Sequence, residues 1–240
     1  MFRFKQCGMA SCCTEKTMAV FNNFVRGEKL HKVLDVIEIT PQLFVIRFMR
    51  DGLDFIPGQH ISVSIPGTGI QREYSIYSSV NDDYLEILFR VVPSGVLTPR
   101  LSDLRKGESI IVDGPHGYFK LPEEPLKHKY LFIATGSGIA PFHSFIKSYP
   151  DLDYKLLHGI RFPFEKCNPE DYNQDRLVYC FSRGIDDNYS GRVTDYLSEN
   201  EVDPDTLVYF CGSSQMIMDA WQILIAKGIK PEQMKQEIYF

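Results

Sequence analysis

The stretch that most narrows what this chain can fold into is Tyr130-Leu131-Phe132-Ile133-Ala134-Thr135-Gly136-Ser137-Gly138-Ile139-Ala140-Pro141. A continuous apolar run of this length, bounded by a turn signal, reads as a strand covered on both faces. Two glycines one residue apart then break the run, and a helix pattern follows. Strand, glycine turn, helix is the unit from which parallel sheets are built, and the turn suits phosphate because helix N–H groups point out of it. Residues 154–158, 177–181 and 207–211 repeat the apolar pattern, with helical spacing in residues 193–197 and 216–226. This alternation predicts a doubly wound parallel sheet.

The upstream half obeys a different grammar. Residues 33–39 and 43–48 are β-branched and aromatic runs split by Thr40-Pro41. Residues 60–65 alternate and stop at Pro66-Gly67, and residues 84–91 and 109–112 continue the series. Short strands with Gly/Pro turns at this spacing predict an antiparallel β-barrel. Two prolines and three charges in residues 121–127 mark the change of grammar. The expected division is a tail over residues 1–28, a barrel domain over 29–125 and an α/β domain over 126–240.

Bulk properties exclude several classes. A chain of 240 residues, 44% hydrophobic and 24% charged, fits a globular protein of two ordinary domains. The formal net charge of -5 gives no general affinity for nucleic acid. No apolar run approaches the ~20 residues of a membrane helix. Cys7, Cys12 and Cys13 crowd the start, while Cys167, Cys180 and Cys211 lie in or near strand-like runs. That is no secreted disulfide framework, and no apolar leader core precedes it, so a reducing cytoplasm is expected. No His or second Cys pair follows the first three cysteines at metal-site spacing, so no metal is expected.

Three further pieces carry chemistry. In Arg72-Glu73-Tyr74-Ser75, period two puts Arg72 and Tyr74 on one strand face and Ser75 on the other. A guanidinium suits a pyrophosphate, and a tyrosine ring can stack on a flat heterocycle. Pro93-Ser94-Gly95-Val96-Leu97-Thr98-Pro99-Arg100-Leu101 reads as a turn opening a short helix near Thr98. Its N–H groups could receive a phosphate, or Thr98 could be an ordinary N-cap with Pro99 at the first helical position; both can hold. Arg161, Ser182-Arg183 and Gly191-Arg192 fall at strand ends or a helix start, where ligands bind in such sheets. Three arginines and a serine there suit a 2′-phosphate. None of residues 181–184 is acidic, and Asp186 and Asp187 follow closely.

Taken in order, Arg72-x-Tyr74-Ser75, Gly95-x-x-Thr98, Gly114-Pro115-x-Gly117-x-Phe119, Thr135-Gly136-x-Gly138-Ile139-Ala140-Pro141, Val208-Tyr209-x-Cys211-Gly212-x-x-x-Met216 and Glu237-x-Tyr239 resemble the ferredoxin–NADP reductase superfamily. The turn at residues 92–101 and the aromatic end are most similar to the bacterial flavodoxin/ferredoxin–NADP reductases. The resemblance implies an FAD enzyme that moves hydride between NADP(H) and flavin and exchanges single electrons with ferredoxin or flavodoxin, as a monomer. It implies that Arg72 binds the FAD pyrophosphate, that Tyr74 stacks on the flavin and that Ser75 bonds near its N5. Gly95, Val96, Leu97 and Thr98 would hold FAD phosphate through backbone N–H groups. Thr135, Gly136 and Gly138 would let the coenzyme pyrophosphate approach the helix, and Arg161, Ser182, Arg183 and Arg192 would hold the 2′-phosphate. Cys211 would sit beside the nicotinamide C4, and Glu237 would relay a proton with Ser75. Tyr239, followed by Phe240, would cover the opposite flavin face. His116, His143 and His158 are expected to be structural or surface residues, because hydride transfer needs no imidazole base. Two alternatives stand beside this reading. One is an NAD(P)H-dependent reductase component serving an oxygenase, a haem protein or free flavin; the other is a non-catalytic flavin-binding regulatory module.

Overall fold

The computed structural model describes residues 29–184 and 189–238. Two six-stranded sheets organise them. The first is antiparallel throughout and contains β1 (Lys29–Thr40), β2 (Leu43–Met49), β3 (His60–Ser64), β4 (Gln71–Ser75), β5 (Tyr84–Arg90) and β6 (Ser109–His116). Its order is β4-β3-β6-β1-β2-β5, and a bridge between Ile76 and Ile87 brings the two outer strands together. The barrel interior is filled by Ile46, Phe48, Ile61, Val63, Leu85, Ile87, Phe89, Ile110 and Val112. Full burial of each such side chain is worth about 1.5–3 kcal/mol, so register is fixed by which face carries them. The helix α1 (Leu97–Ser102) adds Leu97 and Leu101 to this core.

The second sheet is parallel throughout. Its order is β10-β9-β8-β7-β11-β12, with β7 (Lys129–Thr135), β8 (Asp153–Ile160), β9 (Leu177–Phe181), β10 (Tyr189–Ser190), β11 (Leu207–Gly212) and β12 (Met234–Ile238). The helices α2 (Ala140–Ser148), α3 (Val193–Glu199) and α4 (Ser214–Ala226) cover it. The sheet order reverses between β7 and β11, which puts the glycine turn at the switch point where such sheets bind ligands. The two strands at the sheet's edges, β10 and β12, lacked a sequence signal: one has two residues, and the other, Met-Lys-Gln-Glu-Ile, is mostly polar.

The sheets share one core. Leu43, Val45, Tyr77, Leu88 and Phe119 from the barrel side pack with Phe132, Phe142, Phe145 and Tyr209 from the parallel side. Polar contacts fix the angle of approach. The Tyr77 ring lies flat on His143, centroids 3.7 Å apart, and the Tyr77 hydroxyl donates to Asn168 Oδ1 at 2.9 Å. At the other end Arg90, the last residue of β5, donates to Glu165 Oε1 at 2.8 Å. The second Glu165 oxygen accepts the Arg161 and Phe162 N–H groups, at 2.8 and 3.2 Å. Burial pushes this carboxyl up, but Arg90 and the two N–H groups outweigh it and leave its pKa lowered.

One local expectation is corrected. Thr98 does not cap its helix: Val96 occupies the N-cap and Leu97 opens α1. The Thr98 hydroxyl instead accepts the Val92 N–H at 2.9 Å and closes the turn on itself. Pro99 is tolerated two residues further in, at the third helical position, because the first-turn N–H groups have no intrahelical acceptor to lose.

Candidate functional site

β4 presents its motif as period two requires. Arg72 is exposed, Tyr74 half-buried and Ser75 buried. The Arg72 guanidinium donates to the neighbouring Gln71 carbonyl at 2.7 Å. The Tyr74 ring meets Phe89 edge-on, and desolvation pushes its hydroxyl up to about 12 despite the opposing pull of Arg72. Tyr74 therefore stays neutral and offers an apolar face to whatever lies on it.

Ser75 points towards the parallel sheet. Its Oγ donates to Glu237 Oε2 at 2.8 Å, across 162 residues of sequence. Glu237 is in β12, directly opposite Cys211 in β11. Cys211 in turn lies beside Ala134 of β7. The Cys211 thiol is fully buried, and burial, helped by the Glu237 charge, raises its pKa well above the ordinary value. It is held as a neutral thiol, not a nucleophilic thiolate. So Ser75, Cys211 and Glu237 meet where the two sheets join. Tyr239 and Phe240 lie outside the described residues, as do Asp186 and Asp187.

The glycine turn shows why each glycine is there. Gly136 takes φ +55°, and a Cβ on it would meet nothing within 4 Å, so it faces open space. Gly138 is buried, and a Cβ there would lie 2.4 Å from the Cys211 carbonyl oxygen. The first keeps the turn open towards a ligand; the second lets the turn lie directly on β11. His158, fully buried in β8, holds the turn from below: its Nε2–H donates to the Gly136 carbonyl at 2.9 Å. Nδ1 has no partner among the described residues, and in the neutral tautomer it carries a lone pair and no proton. Desolvation depresses the His158 pKa to about 4, from an ordinary 6.5. The sign follows from linkage: the folded state excludes a proton that the unfolded chain binds below pH 6.5. Stability is thus complete above that pH and is lost as pH falls through about 4. At about 1.4 kcal/mol per pKa unit the loss is on the order of 3 kcal/mol. Denaturant unfolding at pH 7 and pH 4 checks this. A His158→Gln protein should show a shallower slope between them, and an unchanged slope would refute the assignment.

Above the turn is a cavity of about 720 Å³, lined among others by Thr135, Gly136, Arg161, Ser182, Arg183 and Arg192. It collects every residue singled out for a 2′-phosphate. Arg161, Ser182, Arg183 and Arg192 are exposed. Arg90 and Glu165 also line it, and sequence analysis did not single them out. Their only signal was position: Arg90 directly precedes the turn of residues 91–95, and Glu165 follows Arg161 by four. In the turn that follows Arg90, the Gly95 N–H is taken by the Val92 carbonyl at 2.8 Å. The turn's donors are therefore the N–H groups at the start of α1, over Val96, Leu97 and Thr98. The described residues contain no cluster of metal ligands. None of their helices is long and apolar enough to cross a membrane.

Comparison with known proteins fits this geometry. Residues 33–121 match the family model of the oxidoreductase FAD-binding domain. The chain is 27% identical over 221 residues to the electron transfer component of toluate 1,2-dioxygenase from Pseudomonas putida, covering 84% of this chain and 64% of that protein. It therefore spans less than two thirds of that relative's length. It is 28% identical over 231 residues to a ferredoxin–NADP reductase from Pseudomonas aeruginosa, covering 83% of this chain and 90% of the relative. In fold it is similar to the crystal structure of a ferredoxin NADP+ reductase from Neisseria gonorrhoeae with bound FAD and NADP. The TM-score is 0.80 at 24% identity, over 90% of this chain and 100% of that one.

Proposed function

We propose, for a chain that belongs to the ferredoxin–NADP reductase superfamily, that it is an FAD enzyme linking NADP(H) to a one-electron carrier such as ferredoxin or flavodoxin. The observation that carries this reading is the 2.8 Å Ser75–Glu237 hydrogen bond. It ties the barrel strand bearing Arg72 and Tyr74 to the last strand of the sheet bearing the glycine turn. Two binding surfaces therefore meet at one polar pair, as transfer between two stacked rings requires.

The residues present fit both groups. For FAD there are an exposed guanidinium at Arg72, a half-buried ring at Tyr74 and the free N–H groups that open α1. For the coenzyme there is a cavity whose floor is a glycine that keeps its Cβ space empty. When bound, FAD supplies hydride acceptance and one-electron release, and the protein's part is to position and tune. Arg72 neutralises pyrophosphate charge, and Tyr74 covers one ring face. The buried Cys211 gives the nicotinamide a neutral, apolar neighbour. Glu237 accepts from Ser75 and so fixes the direction of the Ser75 hydroxyl. Tyr239, which lies outside the described residues, is assigned to the second ring face. In this reading residues 29–125 are the flavin unit, residues 126–240 the coenzyme unit, and the protein works in the cytoplasm as a monomer.

A second reading has its own support, because one relative is the electron transfer component of a dioxygenase. Here the same hydride chemistry would feed an oxygenase. Both readings expect flavin released by denaturation to run as FAD, and a yellow protein bleached by NADPH in the first reading and by NADPH or NADH in the second. Release of FMN alone, or no bleaching by either NADPH or NADH after reconstitution, refutes both. Carrier assays with ferredoxin, flavodoxin and an oxygenase then separate them.

A further inference from the structure

The helix that follows the glycine turn buries three polar side chains against the barrel, and the chemistry above uses none of them. One side of α2 carries Phe142, Phe145 and Ile146 into the shared aromatic core. His143, Ser144 and Ser148 lie on the other side and are 1%, 0% and 8% exposed. All three bond to one stretch of the barrel chain, residues 77–80, which begins two residues after Ser75. The His143 Nδ1–H donates to the Tyr77 carbonyl at 2.6 Å. The Ser144 hydroxyl donates to the Ser78 carbonyl at 2.7 Å. Ser148 Oγ accepts the Val80 N–H at 3.1 Å and lies 3.3 Å from Ser79 Oγ. The bonds keep chain order, so they close like a zipper.

Both sides of this zipper are anchored. On the barrel side the Tyr77 N–H donates to the Glu86 carbonyl at 2.8 Å, and the Glu86 N–H donates to Ser78 Oγ at 3.1 Å, which ties residues 77–78 to β5. On the helix side His143 Nε2 is hydrogen-bonded to Asp171 Oδ2 at 2.8 Å, with the ring flat on Tyr77. The reach from the zipper to each ligand surface is short. His143 stands three residues into the helix, roughly 4.5 Å along its axis from Ala140. Tyr77 stands two residues beyond Ser75, roughly 7 Å along the chain. Apolar faces slide with little loss, because buried area changes slowly with displacement, whereas hydrogen bonds weaken steeply off-line. A helix shifted by one residue would leave buried carbonyl and hydroxyl groups without partners. The polar face therefore admits one register.

We propose that His143, Ser144 and Ser148 are positioning residues that set the offset between the coenzyme turn and the flavin strand, and so the alignment of the two rings for hydride transfer; this rests on the functional reading above. The glycine turn runs straight into α2, and β4 runs into residues 77–80, so the zipper joins one ligand surface to the other. A neutral hydrogen bond contributes little net stability. Loss of the zipper therefore falls on alignment more than on folding. Hydride transfer moves two electrons and one proton together, and it slows about hundredfold for a misplacement on the scale of 1 Å.

The test compares the holoenzyme with His143→Leu, His143→Asn and Ser144→Ala. Leucine removes both ring bonds, while asparagine keeps a donor for the Tyr77 carbonyl. The first readout is the long-wavelength charge-transfer band that appears when NADP+ stacks on the flavin. The second is the single-turnover rate of flavin reduction by NADPH. The third is affinity for 2′-phospho-AMP, which fills the phosphate subsites without a nicotinamide. His143→Leu should lose most of the band and slow reduction about hundredfold, and Ser144→Ala about tenfold, with 2′-phospho-AMP affinity within about twofold of wild type. His143→Asn should recover most of the band and the rate. Unchanged band and rate in the variants, with only Tm lowered, overturn the proposal, because a merely structural contact gives that result. A matching loss of 2′-phospho-AMP affinity also overturns it, since the turn would then be damaged and not displaced. Ser144→Ala is the smallest change and carries the test by itself where His143→Leu does not fold. A wild-type protein that neither NADPH nor NADH reduces overturns the functional reading, and the positioning role with it. A wild type reduced normally beside indifferent variants overturns the positioning role alone.

Discussion

Gly138→Ala should cost about 3 kcal/mol of stability, the upper end of what overpacking a core costs, and with it the coenzyme site. The reason is that the new methyl group meets backbone, not a side chain that can turn away. Its Cβ would lie 2.4 Å from the Cys211 oxygen, 2.7 Å from the Cys211 carbonyl carbon and 2.9 Å from the Gly212 Cα. Relief requires the turn to lift off β11, and β11 pairs with β7 over five residue positions. For a chain of this size the loss amounts to roughly 6–12 °C in Tm. A displacement on the scale of 1 Å should also weaken coenzyme binding about a hundredfold. Gly136→Ala is the internal contrast. Its Cβ meets open space, so only the left-handed backbone resists, at about 1–2 kcal/mol. Thermal unfolding and coenzyme titration of the two variants check the ranking, and equal effects would contradict the packing account.

The second large effect concerns coenzyme choice. Arg183→Ala should weaken NADPH binding while leaving NADH nearly unchanged. A charge-assisted hydrogen bond is worth roughly 1.5–3 kcal/mol, about ten- to hundredfold in affinity. The cavity narrows the choice from four arginines to two, of which Arg183 is one. Arg90 is already paired with Glu165, and the Arg192 N–H is taken by Asp195 at 2.7 Å, which brings a carboxylate beside that arginine. Arg161 and Arg183 stand on adjoining strand ends, tied by an Arg183 N–H donated to the Arg161 carbonyl at 3.0 Å. Those two guanidinium groups face the cavity with no carboxylate bonded to them among the described residues. Titration of the holoenzyme with both coenzymes is the measurement. Equal loss for NADPH and NADH would show that Arg183 serves the shared part of the two molecules and not the 2′-phosphate.

The sequence alone was enough for the two grammars, the strand runs, the glycine turn and the motif residues on β4. These are local properties. An apolar run bounded by Gly and Pro can bury itself in few ways, and period two puts Arg72 and Tyr74 on one face whatever lies opposite. The edge strands β10 and β12 escaped because one is two residues long and the other is polar, so neither carries a periodic signal. The Thr98 hydroxyl escaped because a turn and an N-cap use the same residue types, and only the folded turn brought the Val92 N–H within 2.9 Å. Tertiary structure decided the contacts that make a site. Ser75 meets Glu237 only because β4 lies at the end of one sheet and β12 at the end of the other, and a shared aromatic core presses the sheets together. His60 reaches Glu237 through the same register, and Arg90 reaches Glu165 at the opposite end of the contact. Such partners are set by the sum of many core contacts across both sheets. No short window of sequence contains that sum.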